Sequence, residues 1–156
     1  MRMIFKQRFF SWFDSYDIYA ESGETIFTVE GRMGWGKKLE ISDASGKYLG
    51  MLKQEIFTFF PSFEMYLGDR HVGYVRKQFS LFRPSFFLDC NGWTVEGNWF
   101  EWDYSIYDRS GNVVATIHKE NFNWTDTYVL DVFDPQDAVT VLMIALAIDA
   151  EKDNRN

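Results

Sequence analysis

Hydrophobic and polar residues alternate in short runs along residues 1–133, and turn-forming residues separate the runs. The clearest run is Glu101 to Tyr107, where Trp102, Tyr104 and Ile106 share one face and Glu101, Asp103 and Ser105 the other. A two-residue period is that of a strand with one buried face. Asp126 to Phe133 alternates in the same way, with Tyr128, Leu130 and Val132 opposite Thr127, Val129, Asp131 and Phe133; Lys38 to Ser42 does too. Asn91-Gly92, between Phe86–Cys90 and Trp93–Gly97, predicts a two-residue hairpin, because both central positions of that turn need positive φ. Ser22-Gly23, Ser45-Gly46 and Ser110-Gly111 place Gly where a slightly longer hairpin needs a left-handed residue, and Gly68-Asp69-Arg70 makes another turn. The pattern predicts eleven or twelve strands, mostly antiparallel because the connections are too short for crossovers.

The runs also repeat. Ile41-Ser42-Asp43-Ala44-Ser45-Gly46-Lys47 lines up with Ile106-Tyr107-Asp108-Arg109-Ser110-Gly111-Asn112, and the same spacing pairs Leu49 with Val114, Gly50 with Ala115, Leu52 with Ile117 and Phe57 with Phe122. Val29-Glu30-Gly31 matches Val95-Glu96-Gly97 with one residue gained or lost between strands. Two copies, about 29–66 and 95–132, predict a pseudo-symmetric sheet closed on itself within a single domain, 1–150. A solenoid would need three or more stacked copies.

After Phe133 the period changes. Asp134-Pro135-Gln136-Asp137 is a helix start, with Asp134 at the N-cap, Pro135 at the first helical position and the Asp137 charge near the positive end of the helix. Ala138 to Ile148 then carries Val139, Val141, Leu142, Met143, Ile144, Leu146 and Ile148, so the helix has almost no polar face. A helix that is apolar all round must be surrounded by protein or lipid. With about a dozen strands before it, the economical arrangement is a closed antiparallel barrel with this helix along its axis. Aromatic residues make up 19% of the chain, an excess that suits side chains bridging from barrel wall to helix. Residues 151–156 form a polar tail, expected to fray.

The segments Val95-Glu96-Gly97-Asn98, Tyr104-Ser105-Ile106-Tyr107-Asp108, Gly111-Asn112-Val113-Val114-Ala115, Ile117-His118-Lys119 and Asp126 to Val132, followed by the apolar helix ending Ala145-Leu146-Ala147-Ile148-Asp149, resemble the LURP-one-related family. The resemblance spans essentially the whole chain. It implies the fold of tubby C-terminal domains and phospholipid scramblases, a barrel of about twelve strands threaded by a hydrophobic C-terminal helix. Tubby relatives bind phosphoinositides through basic residues; no matching set stands in this sequence, so the resemblance assigns no site residue.

Net charge is −7, with a pI near 4.8, and it is unevenly spread. Residues 1–83 hold 12 Lys/Arg against 10 Asp/Glu, and residues 84–156 hold 4 against 13. An acidic balance argues against nucleic acid as a partner, since backbone binding needs clustered positive charge. Met1 to Phe13 mixes Arg2, Lys6 and Arg8 with aromatics and reads as a first strand and not a signal peptide. The stretch Ala138 to Ile148 falls short of the roughly 20 residues that cross a bilayer. Cys90 is the single cysteine and has no partner for an internal disulfide. These features predict a cytoplasmic protein.

Candidate chemistry is sparse. Gly31 to Lys38 lacks the spacing of a phosphate-binding loop and of a dinucleotide fingerprint. His71 and His118 have no second ligand at metal spacing, and Cys90 has no histidine nearby in sequence. Asp43 and Asp108, just before turns, suit hydrogen bonding to turn amides. Asp103, Asp131 and Asp134 would have to converge in space to matter. No catalytic residue, metal site or cofactor is expected, and the protein is expected to be a non-enzymatic binding module. Two basic-aromatic clusters remain. Arg32, Lys37 and Lys38 flank Met33 and Trp35; Arg76, Lys77 and Arg83 lie among Phe79, Phe82, Phe86 and Phe87. Arg32, Lys37, Lys38, Arg76 and Lys77 are the candidate surface for an anionic phospholipid head group, provided they gather on one face. The alternative is a protein partner at an exposed apolar patch.

Overall fold

The computed structural model describes residues 1–6, 15–78, 85–98, 102–122 and 125–153. Twelve strands are formed among them: β1 Arg2–Lys6, β2 Ser15–Ala20, β3 Thr25–Arg32, β4 Lys38–Asp43, β5 Tyr48–Glu55, β6 Ser62–Leu67, β7 Arg70–Gln78, β8 Ser85–Leu88, β9 Thr94–Asn98, β10 Asp103–Tyr107, β11 Val113–Phe122 and β12 Thr125–Val132. Each pairs antiparallel with its neighbours in sequence, and β1 pairs with β12, so the sheet is a closed up-and-down barrel. Closure joins Arg2 to Asp131 across that last seam, two guanidinium nitrogens meeting the carboxylate at 2.7 and 3.0 Å. A closed sheet has no free edge to template aggregation.

A 3₁₀ turn, Pro135–Asp137, leads into α1, Ala138–Asp153. The Asp134 carboxylate accepts from the Gln136 amide at 3.0 Å, as an N-cap should. Every residue from Val141 to Glu151 is buried, so the helix is enclosed on all sides. The barrel contributes Met3, Phe5, Ile18, Val29, Leu39, Ile41, Leu52, Met65, Val75, Leu88, Val95, Ile106, Ile117 and Leu130 to the same core. Aromatic rings pack against one another on the inside of the wall: Phe5 stacks on Tyr128 across the β1–β12 seam at 4.8 Å between ring centroids, and Trp102 lies 4.3 Å from Tyr128. Close approach of wall and helix requires glycine at position 50. A Cβ on Gly50 would stand 2.7 Å from Cε of Met143 on the helix and 2.3 Å from the Tyr66 carbonyl.

Three details differ from the sequence reading. The connection between β8 and β9 is a four-residue turn closed by Leu88 and Trp93, with Gly92 alone left-handed at φ 75°, because the Asn91 side chain accepts from the Trp93 amide instead. The strand expected from Glu101 begins at Asp103; Trp102 is left-handed at φ 51°, and Glu101 lies outside the described residues. The polar tail does not begin at Glu151, since α1 continues to Asp153 with the Glu151 side chain inside the barrel. Residues 7–13 of the expected first strand, with Phe79, Phe82 and Arg83, also lie outside the described residues.

The turns after β4 and β10 are built alike and stand six strands apart. Asp43 accepts from the amides of Ser45 and Lys47 at 2.9 and 3.0 Å; Asp108 accepts from those of Ser110 and Asn112 at 2.8 and 2.9 Å. A register shift falls at Ile41/Ser42 in one ladder and at Ile106/Tyr107 in the other. The Ser45 hydroxyl and turn amides hold the Asp43 carboxyl below its ordinary 3.8, and Asn112 does the same for Asp108. Arg2 holds Asp131 low. All three therefore bind fewer protons folded than unfolded, and their contribution to stability is complete above the ordinary value and is lost as pH falls through their lower folded values. Asp137, raised by burial and by Asp134, works in the opposite direction. The urea midpoint is expected to fall steadily below about pH 4, and an Asp43→Asn/Asp108→Asn variant to show a shallower decline. A midpoint flat from about pH 6 to about pH 3 would contradict this assignment.

Candidate binding surface

An up-and-down barrel sends alternate connections to opposite ends, and the two ends here differ in chemistry. One end carries the tight turns at Glu21–Glu24, Asp43–Lys47, Gly68–Asp69, Asp89–Trp93 and Asp108–Asn112, together with the helix cap. It holds Glu21, Glu24, Asp43, Asp69, Asp89, Asp108, Asp134 and Asp137 against Lys47, Arg70 and Arg109. The other end carries the described loops 33–37 and 56–61, which contain no Asp or Glu.

Those two loops expose apolar side chains. Met33 and Trp35 are each 83% exposed, Phe57 90% and Phe59 96%, with Ile56 and Phe60 also exposed. Single exposed apolar residues are ordinary; a contiguous group of this kind marks an interaction surface. The loops are seated on each other. The Gln54 amide donates to the Lys37 carbonyl at 2.8 Å. Gly36, at φ 84°, packs so closely that a Cβ there would lie 2.7 Å from the Gln54 carbonyl oxygen and 2.9 Å from Ile56 Cγ2. The Phe59 and Phe60 rings meet edge to face at 5.2 Å. Below them, the Lys77 amide donates to the Pro61 carbonyl at 3.3 Å, anchoring the 56–61 loop on β7.

The five basic residues expected as one face are divided by this arrangement. Arg32 is exposed on the outer face of β3 and sits 2.9 Å from both Glu30 and Glu40, which hold its guanidinium charged. Lys37 and Lys38 lie at the base of the 33–37 loop, where the Lys38 methylenes pass close beside Gly34. Arg76 is on the outer face of β7, three strands from β4, paired with Asp89 at 3.3 Å and lying 4.1 Å over the Tyr74 ring. Lys77 corrects the expectation. Strand alternation turns it inward beside Val75, and its ammonium meets Glu151 on α1 at 3.0 Å, the two side chains 11% and 3% exposed. It belongs to the interior, not to a surface site. Next to this pair the helix carries buried Asp149, whose charge adds to burial in pushing the Tyr16 phenol well above its ordinary 10.

The other chemistry-bearing residues stay apart. Asp103 begins β10 at the loop end, Asp131 pairs with Arg2 near the turn end, and Asp134 caps the helix. His118 faces outward with Nε2 3.3 Å from Glu120, and His71 packs between the Tyr66 and Tyr74 rings. Burial and Asp89 push the Cys90 thiol up, away from the reactive thiolate. Among the described residues, no three or more His, Cys, Asp or Glu side chains are grouped to hold a metal ion.

A closed twelve-strand meander around an apolar helix is a tubby-like barrel domain. The chain belongs to the LURP-one-related family, whose model matches residues 1–149. It is similar to the uncharacterized protein YxjI of Bacillus subtilis strain 168, 28% identical over 150 residues that cover 96% of this chain and 92% of that protein. Its fold is similar to that of a protein from Arabidopsis thaliana solved by X-ray methods, with a TM-score of 0.64, 18% identity, and coverage of 95% of this chain and 91% of that one. That likeness speaks for the fold alone. The signal for the loop end was present in the sequence as Ile56-Phe57-Thr58-Phe59-Phe60, but such a run reads equally as a buried strand.

Proposed function

We propose that this protein is a non-enzymatic binding module and that its partner meets the loop-bearing end of the barrel. The observation that carries this reading is the group of exposed apolar side chains on two adjoining loops that lack carboxylates. Recognition of an anionic head group is a second reading, favoured by Lys37 and Lys38 at the base of the same loops. Arg32 and Arg76 add less to it, since each already faces a carboxylate, and Lys77 adds nothing from inside the barrel. A photo-crosslinking residue at position 57 tests the end that is used, with position 45 in an opposite turn as the control. In the native host, adducts are expected from position 57 and not from position 45. Equal labelling from both, or none from position 57, would refute the assignment of the binding end.

A further inference from the structure

Resting on that reading, we infer that the partner is a lipid bilayer and that the 33–37 and 56–61 loops insert into its interface as a pair of apolar fingers. Met33, Trp35, Phe57 and Phe59 are exposed to 83–96% on the two loops. A protein partner would need a receptor shaped to four such projections, whereas a bilayer interface takes up Trp, Phe and Met side chains without shape complementarity. The mutual seating of the loops, through Gln54–Lys37 and Gly36 against Ile56, presents the fingers together. Lys38 stands at the base of the 33–37 loop with its methylenes beside Gly34, a stem along apolar surface that ends in a cation, as at membrane interfaces.

The charge distribution fits the same orientation. A domain of net charge −7 is repelled by an anionic surface when the charge is treated as uniform. The acidic turns lie a strand length away at the opposite end, and an eight-residue strand such as β3 spans roughly 26 Å. That is about three Debye lengths at physiological ionic strength, so most of the repulsion is screened when the loop end faces the membrane. The contact is peripheral; no helix among the described residues is long and apolar enough to cross a membrane.

The test uses the full chain with Cys90→Ser and an environment-sensitive nitrobenzoxadiazole label at Phe57→Cys or, as the control, Ser45→Cys. Phosphatidylcholine vesicles are titrated in, alone or with phosphatidylserine, at low and high salt. The label at position 57 is expected to shift to the blue and to be quenched by a lipid-borne quencher, while the label at position 45 stays in water. Binding to neutral vesicles is expected to survive high salt within about threefold, since most of it is apolar. In sedimentation of otherwise unlabelled protein, Phe59→Ser with Trp35→Ser should weaken binding at least about tenfold with the thermal midpoint unchanged. Binding only to phosphatidylserine vesicles, lost in high salt and in Lys37→Glu/Lys38→Glu, would overturn insertion and support head-group recognition. No partition onto any vesicle would also overturn it. If position 57 still crosslinks a protein in the host, or if Phe59→Ser/Trp35→Ser abolishes a dimer seen without lipid, the binding end stands with a different occupant.

Discussion

Leu142→Asp is expected to abolish the folded soluble protein. Leu142 is fully buried, as is Ile144 two residues on, and the helix is enclosed by the barrel wall on every side. Replacing a buried Leu even by Ala costs about 2–5 kcal/mol, from lost transfer energy and the cavity left behind. A carboxylate at the same place, in the hydrophobic core, adds several kcal/mol of desolvation. The total approaches or exceeds the roughly 5–15 kcal/mol that holds a domain folded. Expression of Leu142→Asp, Leu142→Ala and wild type at equal induction, followed by urea unfolding of whatever is soluble, checks this. Leu142→Ala should give a folded protein with a lowered urea midpoint, and Leu142→Asp should be insoluble. A chain ending at Asp134 is expected to aggregate for the same reason, because β1 through β12 would then surround an empty apolar interior. A soluble, cooperatively folded barrel without residues 135–156 would show that the wall stands alone.

Lys77→Met is the second large effect. The ammonium of Lys77 and the carboxylate of Glu151 meet at 3.0 Å with both side chains nearly out of solvent. Removing one member of a buried ion pair leaves the other charged and desolvated, a loss of about 3–5 kcal/mol. Replacing both members with apolar groups is far milder in general, since neither charge then has to be desolvated. The urea midpoint of Lys77→Met should therefore fall well below wild type, and Lys77→Met/Glu151→Leu should recover part of the loss. A single variant as stable as wild type would mean that Glu151 is held by its other surroundings and not by Lys77. The pair also ties the last turns of α1 to the end of β7, the strand whose Lys77 amide anchors the 56–61 loop through Pro61. Loss of the pair is accordingly expected to reach the binding end as well as the helix.

The barrel and its helix were readable from local rules. Alternation at Tyr104/Ile106 and Tyr128/Leu130/Val132 picks out inward side chains because the strand period is two, and all five are buried. Glycine at positions 46 and 111 marks turns because the left-handed backbone there, φ 85° and 83°, is free of Cβ strain only for glycine. A helix with apolar residues on all sides has to be enclosed, and the strands before it supply a wall long enough to close around it. Alternation also bore on the basic set: neighbouring residues of one strand face opposite ways, so Arg76 and Lys77 could never share a surface. That one is outward and the other inward follows from Val75 packing in the core.

What the chain could not show by itself depends on closure. Ile56 to Phe60 is a run of apolar residues that would suit a buried strand, and its exposure follows only from where β5 ends against β6, once the register around the barrel is complete. Glu151 stands in a run of charged residues after the apolar segment, which by composition is a solvated tail; 74 positions separate it from the lysine that receives it. The gathering of acidic residues at the turn-bearing end has the same origin. Charges scattered from Glu21 to Asp137 come together because a meander returns every second connection to one end, a long-range consequence of topology that no local pattern of residues encodes.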